Sequence, residues 1–409
     1  MAQSSSISLT NIQSEVRNHF LNEVLIYKYK CGVRGMFKDV VVLDFSRLLP
    51  GPYASMLLAD MGAQVIKVEE PKKGDYMRDF PPSVGEEGAF YLAVNRGKKS
   101  IAIDYRTEEG RNQIYELVKK SDVVLESFRP GAMKAFKLDY ETLKEINPKL
   151  IYCSLTGYGQ KAQVKDKAGH DVNYLSLGGA LNLIAHAGER PVIPGIQIAD
   201  LSGGTFAALA ISTALYNRNF TGEGKYLDIA MLDGILSWYS IIGSQNYLAN
   251  KEIQPGKLIF AEGVVCYNVY ETKDKRYMAL GALEQKFWQD FCTKIGRDDL
   301  IERQFEKAVP ENETYQELIN IFAAKELSAW VELFADEDVC LTPVLNPQEV
   351  ISSDYVKENE MLFELEHPRL GSLKQIHSPI SKNFSQDDFS HPPKLGENTD
   401  EILTKFKLK

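Results

Sequence analysis

Strands and helices alternate along the first half of this chain, and this alternation constrains the fold more than any other feature. Residues 40–45 (VVVLDF) form a continuous run of mostly β-branched residues, typical of a strand buried on both faces. A helical pattern over residues 54–61 ends at Gly62, and residues 64–68 return as a second strand. The unit repeats through predicted strands at 100–104, 122–126 and 150–154, separated by predicted helices at 108–120 and 140–146. This spacing predicts a doubly wound parallel sheet, a Rossmann-like α/β fold.

Ligands of such sheets bind beyond the carboxyl ends of the strands, so the loops after Phe45, Val68, Glu126 and Ser154 are the first places to look for a site. Two further helices are predicted over residues 202–217 and 229–248. From about residue 257 the pattern changes to short strands at 264–270 and 277–280, with helices at 286–295, 315–323 and 327–335. This second pattern predicts a smaller α+β domain.

Composition excludes several classes of protein. The 409 residues are 44% hydrophobic and 25% charged, as in ordinary globular proteins, and the net charge of -9 argues against nucleic-acid binding. No apolar run reaches the roughly 18 residues of a membrane span, and no signal peptide is recognised at the N-terminus, so no membrane partner is expected. The cysteines lack CxxC spacing, which favours a reducing, cytoplasmic setting over a disulfide or zinc framework; they are Cys31, Cys153, Cys266, Cys292 and Cys340.

The stretch AGHDVNYLSLGG (168–179) contains adjacent candidates for proton or acyl chemistry, His170 and Asp171. A histidine side chain has a free pKa near neutrality, so it can accept or donate a proton readily. The alternative is that Asp171 only caps a helix starting near Asn173. Asp200, before a Ser-Gly-Gly helix start, is likewise a candidate acid–base group or an N-cap. Glu284, in ALGALEQKFW, is a candidate site residue or an ordinary partner of a helix dipole.

The densest basic cluster of this acidic chain is Asn95-Arg96-Gly97-Lys98-Lys99. Such a run is either a solvated loop or a site for a ligand with several phosphates, which needs local positive charge. Arg129, in SFRPGAM, follows a predicted strand and therefore belongs to the ligand side of the sheet. The remaining histidines have no partners at metal-ligand spacing, and no metal site is expected.

Several motifs in order resemble the class III CoA-transferase family, also called the CaiB/BaiF family. They run from residue 40 to residue 346 and include LDFSRLLPGPYASMLLADMGAQVIKVEEP, VNRGKKSIAIDYRTEEG, ESFRPGAM, CSLTGYGQ, AGHDVNYLSLGG and GEGKYLDIAMLDG. The resemblance implies an acyl-CoA enzyme with a large doubly wound domain built from both chain ends, a smaller central α+β domain, and two interlocked subunits. The predicted domains are an extension (1–35), a large domain (36–230), a linker helix region (231–256), a small domain (257–345), and a return to the large domain with a C-terminal tail (346–409).

Two activities share this scaffold, according to the resemblance. In the transferases the aspartate matching Asp171 attacks the thioester and carries the acyl group as a mixed anhydride. In the α-methylacyl-CoA racemase branch, the residues matching His170 and Asp200 exchange the α-proton on opposite faces of the carbon, and the glutamate matching Glu284 orients the histidine. The chain has all three racemase residues, and FAEGVV (260–265) contains one glycine where some transferases have a glycine-rich loop. Racemisation of 2-methylacyl-CoA is therefore predicted, with CoA transfer as the alternative and a non-catalytic acyl-CoA scaffold as a third hypothesis.

The resemblance also implies where coenzyme A, as part of the substrate, would bind. No permanently bound cofactor is expected. The cluster around Asn95, together with Arg129, is predicted to hold the phosphates, and a backbone N–H near Asp171 to hold the enolate oxygen. The residues predicted for the phosphates are Asn95, Arg96, Lys98, Lys99 and Arg129, and those for the pantetheine channel are Gly157, Tyr158, Gly159 and Tyr174.

Overall fold

The computed structural model describes residues 36–384 and 389–408, so the predicted N-terminal extension (1–35) lies outside the described residues. The chain divides into two compact units. The first unit comprises the described residues up to Asp166, Gly203–Ile229, and the described residues from Glu360 onward; the second comprises Lys167–Ser202 and Ala230–Asn359. Residues 167–202, which the sequence pattern assigned to the large domain, are thus grouped with the second unit.

The elements are numbered in chain order. The strands are β1 Val41–Asp44, β2 Gln64–Glu69, β3 Ser83–Val84, β4 Glu87–Gly88, β5 Lys98–Ala102, β6 Val123–Glu126, β7 Ile151–Thr156, β8 Lys225–Ala230, β9 Tyr267–Glu271, β10 Tyr277–Gly281, β11 Leu341–Pro343, β12 Leu362–His367 and β13 Gly371–Ile376. The α-helices are α1 Pro50–Asp60, α2 Ala89–Val94, α3 Glu108–Val118, α4 Ala132–Ala135, α5 Tyr140–Ile146, α6 Asp171–Leu177, α7 Ala180–Leu183, α8 Ile198–Thr221, α9 Met231–Trp238, α10 Ser240–Tyr247, α11 Gln285–Lys294, α12 Glu313–Ala323, α13 Leu327–Leu333, α14 Pro347–Ser352, α15 Asp354–Glu358, α16 Pro379–Phe384 and α17 Thr399–Lys405. Two 3₁₀ helices span Tyr76–Asp79 and Asp298–Arg303.

The first unit is built on a six-stranded sheet with the order β5-β2-β1-β6-β7-β8. The four neighbouring pairs from β5 to β7 are parallel, and Val42 pairs with Val65 on one side and with Val123 on the other. The strand order reverses between β1 and β6, which is where doubly wound sheets leave a crevice for ligands. The predicted Rossmann-like sheet is therefore confirmed, and its switch point lies at the loops after Asp44 and Glu126.

The continuous apolar runs form the core of this sheet. Leu43, Ile66, Ile101 and Val124 are fully or almost fully buried between helices on the two faces. The C-terminal helix α17 contributes Ile402 to the same core. The large unit is thus built from both ends of the described chain, as the resemblance implies.

The second unit contains an antiparallel sheet, β11-β10-β9, with α11 to α13 among its helices. Its core is aromatic, and the indole N–H groups of Trp288 and Trp330 donate to the carbonyls of Leu300 and Phe322, so that these polar atoms are satisfied although buried. This arrangement agrees with the predicted α+β domain.

Some elements differ from the sequence pattern. The helix predicted over 229–248 is interrupted at Tyr239, whose N–H bonds the carbonyls of both Ile235 and Leu236. The strands β8, β12 and β13 were not predicted as strands. Helix α8 begins four residues earlier than predicted, and its 24 residues are long and apolar enough to cross a membrane by length and composition, although half of its most apolar window is buried inside the molecule, as in a core helix.

Candidate active site

Two of the predicted catalytic carboxylates meet at the start of α8, in the second unit. Asp171 is the first residue of α6 and is buried, and its Oδ1 accepts the backbone N–H of Ala199 (2.7 Å) and of Asp200 (3.1 Å). Both N–H groups belong to the first turn of α8, where helical backbone donors have no partner within the helix. Asp171 therefore caps a helix, as the alternative reading allowed, but it caps α8 across 28 residues rather than its own helix.

The electrostatics of the pair differ from those of surface carboxylates. Burial, followed by the charge of Asp171, raises the pKa of Asp200 to about 7. Burial also raises the pKa of Asp171, while the N–H groups of Asp200 and Ala199 pull it back. Asp200 is the third residue of α8, not its N-cap, because the helix begins at Ile198. An acid with a pKa near neutrality can both donate and accept a proton under ordinary conditions.

His170 is the N-cap residue of α6 and is exposed to solvent. Its backbone N–H donates to the carboxamide oxygen of Asn173 (3.0 Å), and its carbonyl accepts the Asn173 N–H (2.8 Å), which fixes the main chain next to Asp171. Glu284 is the exposed N-cap residue of α11, and its charge helps to raise the pKa of Cys340 after burial. Within the described residues, no hydrogen bond or ion pair joins Glu284 to the His170 ring, so the predicted orienting role stays a prediction.

The prediction that Asn95, Arg96 and Lys98 bind phosphate groups is wrong. These side chains are at most 1% exposed. Arg96 forms an ion pair with Asp60 (2.8 Å), and Lys98 donates to the carbonyl of Pro52 (2.8 Å) and to Asn95 Oδ1 (2.9 Å). Buried groups that already have partners cannot bind a ligand phosphate without breaking those interactions.

The position of this cluster in the sheet explains the error. Lys98 is the first residue of β5, so the cluster lies at the amino end of a parallel strand, whereas ligands bind beyond the carboxyl ends. Lys99 is partly exposed and is paired with Glu401. Burial lowers the pKa of Lys98 to about 7 despite the nearby Asp44 carboxylate. The basic run is therefore mainly part of a structural ion-pair network.

Arg129 has the placement that the sequence predicted. It is exposed in the loop after β6, on the ligand side of the sheet, and it lines a pocket of about 200 Å³ together with Lys134. Neither side chain has a hydrogen bond or ion pair to any residue that the structure describes. The pocket is also lined by Glu126, Ser154, Gln160 and Tyr226, at the carboxyl ends of β6 and β7 and beside β8.

The residues predicted for the pantetheine channel lie in both units. Gly157, Tyr158 and Gly159 directly follow β7, and the Gly159 N–H donates to Thr156 Oγ1 (3.0 Å) with φ +74°, a conformation that favours glycine. Tyr174 is buried in α6, and its hydroxyl donates to the carbonyl of Gly169 (2.6 Å). Their contact with a ligand stays a prediction.

Sequence reasoning missed Arg47, which follows β1 at the switch point. Its guanidinium lies 4.6 Å from the ring centroid of Phe128 and donates to the hydroxyl groups of Tyr76 (3.0 Å) and Tyr105 (2.7 Å). Its backbone N–H donates to Ser127 Oγ (3.1 Å), which joins the loops after β1 and β6. The rule that ligands bind after strand ends had already indicated this loop, but no residue in it was chosen. Across the described ranges, no three His, Cys, Asp or Glu residues are grouped as metal ligands.

Comparison with known proteins identifies a family that matches most of the chain. The family model described as CoA-transferase family III matches residues 37–399. The chain is 34% identical over 374 residues to succinyl-CoA:glutarate CoA-transferase from Homo sapiens, covering 90% of this chain and 85% of that protein. It is also 34% identical over 377 residues to alpha-methylacyl-CoA racemase from Homo sapiens, covering 90% and 93%. Among solved structures, a CAIB/BAIF family protein from Brucella suis matches with a TM-score of 0.80 at 28% identity, over 91% of this chain and 100% of that one.

Proposed function

Because this chain belongs to CoA-transferase family III, and is thus an acyl-CoA enzyme, we propose that it racemises 2-methylacyl-CoA thioesters. The observation that carries this proposal is the arrangement of Asp171 and Asp200. Asp171 Oδ1 holds the Asp200 N–H at 3.1 Å, and burial beside Asp171 brings the pKa of Asp200 to about 7. A carboxyl group tuned in this way suits the transfer of a proton, and His170, next to Asp171 in the chain, is the second base.

The proposed reaction moves one proton off the α-carbon and another onto it. One base removes the α-hydrogen as a proton, and the electron pair of the broken C–H bond forms the enolate of the thioester. The conjugate acid on the opposite face then protonates the same carbon, so the configuration inverts and no group leaves. Neutral His170 with protonated Asp200 serves one direction, and protonated His170 with ionised Asp200 serves the other.

Acid–base catalysis does not suffice alone. Each positioned group contributes about 10²–10⁴-fold, so an oxyanion site worth roughly 3–4 kcal/mol is also needed to hold the enolate oxygen. We assign this role to a backbone N–H next to Asp171. Glu284 is proposed to orient His170 in the complex with substrate.

The coenzyme A portion of the substrate is proposed to bind in the first unit, through Arg129 and Lys134. These two cations line one pocket beside the switch point and have no other partner in the described part of the chain. In a protein of net charge -9, such unpaired cations are the groups able to hold a phosphate. Gly157, Tyr158, Gly159 and Tyr174 remain the proposed contacts of the pantetheine arm.

Deuterium exchange tests the racemase proposal. The wild type should exchange the α-hydrogen of 2-methylacyl-CoA in D₂O without an acceptor acid. His170→Ala and Asp200→Asn should each reduce exchange by about 10²-fold or more, the range of general acid–base catalysis. His186→Gln, a change at an exposed histidine paired with Glu262, is the matched control and should retain exchange. Absence of exchange in the wild type, with CoA moved to an added carboxylic acid, would refute racemisation.

Transfer of CoA is the second candidate, because the human succinyl-CoA:glutarate CoA-transferase is as similar to this chain as the racemase. In that case Asp171 attacks the thioester carbonyl, CoA leaves as its thiolate, and a mixed anhydride forms on Asp171. Hydroxylamine should then cleave the anhydride and give either an acyl hydroxamate or a hydroxamate on Asp171, and Asp171→Ala should be inactive. A protein with neither exchange nor transfer would instead be an acyl-CoA binding scaffold.

An interlocked homodimer and a cytoplasmic location are also part of the proposal. Large apolar side chains are exposed on α8, including Leu209, Tyr216 and Phe220, each more than half exposed. Exposed apolar side chains of this size are typical of protein interfaces. Light scattering coupled to size-exclusion chromatography should give a mass near 92 kDa, about twice that of one 46.0 kDa chain.

A further inference from the structure

A buried carboxyl group forms part of the pocket that contains Arg129 and Lys134. Glu126, the last residue of β6, is 3% exposed, and its Oε2 accepts the backbone N–H of Phe128 (2.8 Å). Its side chain is also hydrogen-bonded to Ser154 on β7, and the Tyr226 hydroxyl donates to Ser154 Oγ (3.2 Å). The carboxyl group is thus held in one orientation by three neighbouring segments of the first unit.

The charges around Glu126 are unusual for a buried acid. No cation forms an ion pair with it within residues 36–384 and 389–408, although a buried carboxylate is normally paired. Burial raises the pKa of Glu126 to about 7, and the charge of Asp228 contributes in the same direction. The charged groups facing this region are Arg129, Lys134, Asp139 and Asp228. The other titratable groups are Tyr140, Tyr152, Cys153 and Tyr226.

We propose that an anionic group of the CoA portion binds between Arg129 and Lys134, and that Glu126 takes up a proton when it does. This inference rests on the proposed function, because it assumes that the pocket binds coenzyme A. An ionised Glu126 would repel a phosphate in the same pocket, whereas the protonated acid would not. The proton goes from solvent to the Glu126 carboxylate, and the phosphate keeps its charge.

The coupling has a definite sign. Because the bound anion favours the protonated carboxyl group, its binding raises the pKa of Glu126, and a proton on Glu126 strengthens binding by the same factor. Affinity for coenzyme A should therefore increase as the pH falls from about 8 to 6, by about tenfold for each unit by which binding raises the pKa. The groups that hold Glu126, the Phe128 N–H and Ser154, remain satisfied by a glutamine at this position.

The test is calorimetric titration of coenzyme A in buffers of different ionisation enthalpy, which gives the number of protons taken up. On binding coenzyme A near neutral pH, the wild type should take up a fraction of a proton more than Glu126→Gln. The affinity of the variant for coenzyme A should depend correspondingly less on pH. Glu141→Gln makes the same chemical change at an exposed position on α5 and should behave like the wild type. Titration with dephospho-CoA distinguishes the two possible anionic groups. If the proton uptake disappears, the group bound in the pocket is the 3′-phosphate; if the uptake persists, it is the diphosphate.

Equal proton uptake and equal pH dependence in the wild type and Glu126→Gln would overturn the proposal while leaving the acyl-CoA function intact. A wild type that does not bind coenzyme A would overturn both. Infrared difference spectra of the wild type give a second measurement that does not depend on the variant folding. Addition of coenzyme A near neutral pH should increase the carbonyl absorption of a protonated carboxylic acid, and an unchanged band would contradict proton uptake.

Discussion

Asp200→Asn should stabilise the fold while it removes the proposed acid–base group. A carboxyl group with a folded-state pKa of about 7 and an ordinary value of 3.8 binds its proton more tightly in the folded state. The resulting stability is present below the ordinary pKa and is lost as the pH rises toward 7. The wild type should therefore lose stability between these values, and asparagine, which carries no charge, should not.

The size of the effect follows from the two pKa values. The linkage between proton binding and folding lowers the free energy of unfolding by about 1.7 kcal/mol at pH 5 and by about 4.3 kcal/mol at pH 8. Both values are relative to a protein in which Asp200 stays protonated. The free energy of unfolding of Asp200→Asn should therefore exceed that of the wild type by an amount that grows by at most about 2.6 kcal/mol from pH 5 to pH 8. Where water partly screens the charge, the growth should be about half as large. This corresponds to several degrees in the melting temperature, at about 2–4 °C per kcal/mol for a unit of this size.

Differential scanning calorimetry of the wild type and the variant at both pH values measures this growth directly. Asp290→Asn, which removes an exposed carboxylate from α11, is the comparison variant. A stability difference that is the same at pH 5 and pH 8 would show that Asp200 is ionised as easily in the folded protein as in the unfolded chain. The proposed tuning of its pKa would then be wrong.

Three other changes are informative. Asp171→Asn keeps an acceptor for the α8 N–H groups but removes the charge, so it should lower the pKa of Asp200. The pH profile of deuterium exchange should therefore shift to lower pH, and a profile identical to that of the wild type would contradict this. Arg96→Met leaves Asp60 buried and unpaired and should cost about 3–5 kcal/mol in denaturant unfolding, with the double variant Arg96→Met/Asp60→Asn less affected. Arg129→Ala should weaken coenzyme A binding by about tenfold in titration, as expected for one charge-assisted hydrogen bond, and an unchanged Kd would exclude the pocket.

The parallel sheet was predictable from sequence because strands buried on both faces, such as the one around Leu43, appear as continuous apolar runs. The strand β8 was harder to predict, since KYLDIA mixes charged and apolar residues at the end of the sheet order. The hairpin of β12 and β13 has the same mixed character, with exposed and buried residues alternating in LFELEH. The pairing of β8 depends on a neighbour distant in the chain, which a local pattern does not contain, whereas β12 and β13 are joined to each other by a short turn.

For the site, the sequence pattern located charged residues but did not indicate the environment of each one. Arg96 and Arg129 are both arginines in glycine-containing loops, yet one is paired with Asp60 in the core and the other faces a pocket. The difference lies in which end of a strand each loop adjoins. Charge density alone therefore favoured the wrong cluster, and applying the strand-end rule to every basic residue would have favoured Arg129 and Arg47.

The hydrogen bonds of Asp171 help to decide whether Asp171 or its chain neighbour His170 performs the chemistry. If this residue served only to cap α8, an asparagine would accept the same N–H groups, and it would do so without a negative charge next to Asp200. The aspartate does more than cap, because its charge contributes to the raised pKa of Asp200. One side chain thus fixes the backbone of the second carboxylate and adjusts its proton affinity. This combination suits the supporting role that the proposed two-base mechanism gives Asp171, and the two N–H donors leave only Oδ2 for the nucleophilic role of the alternative mechanism.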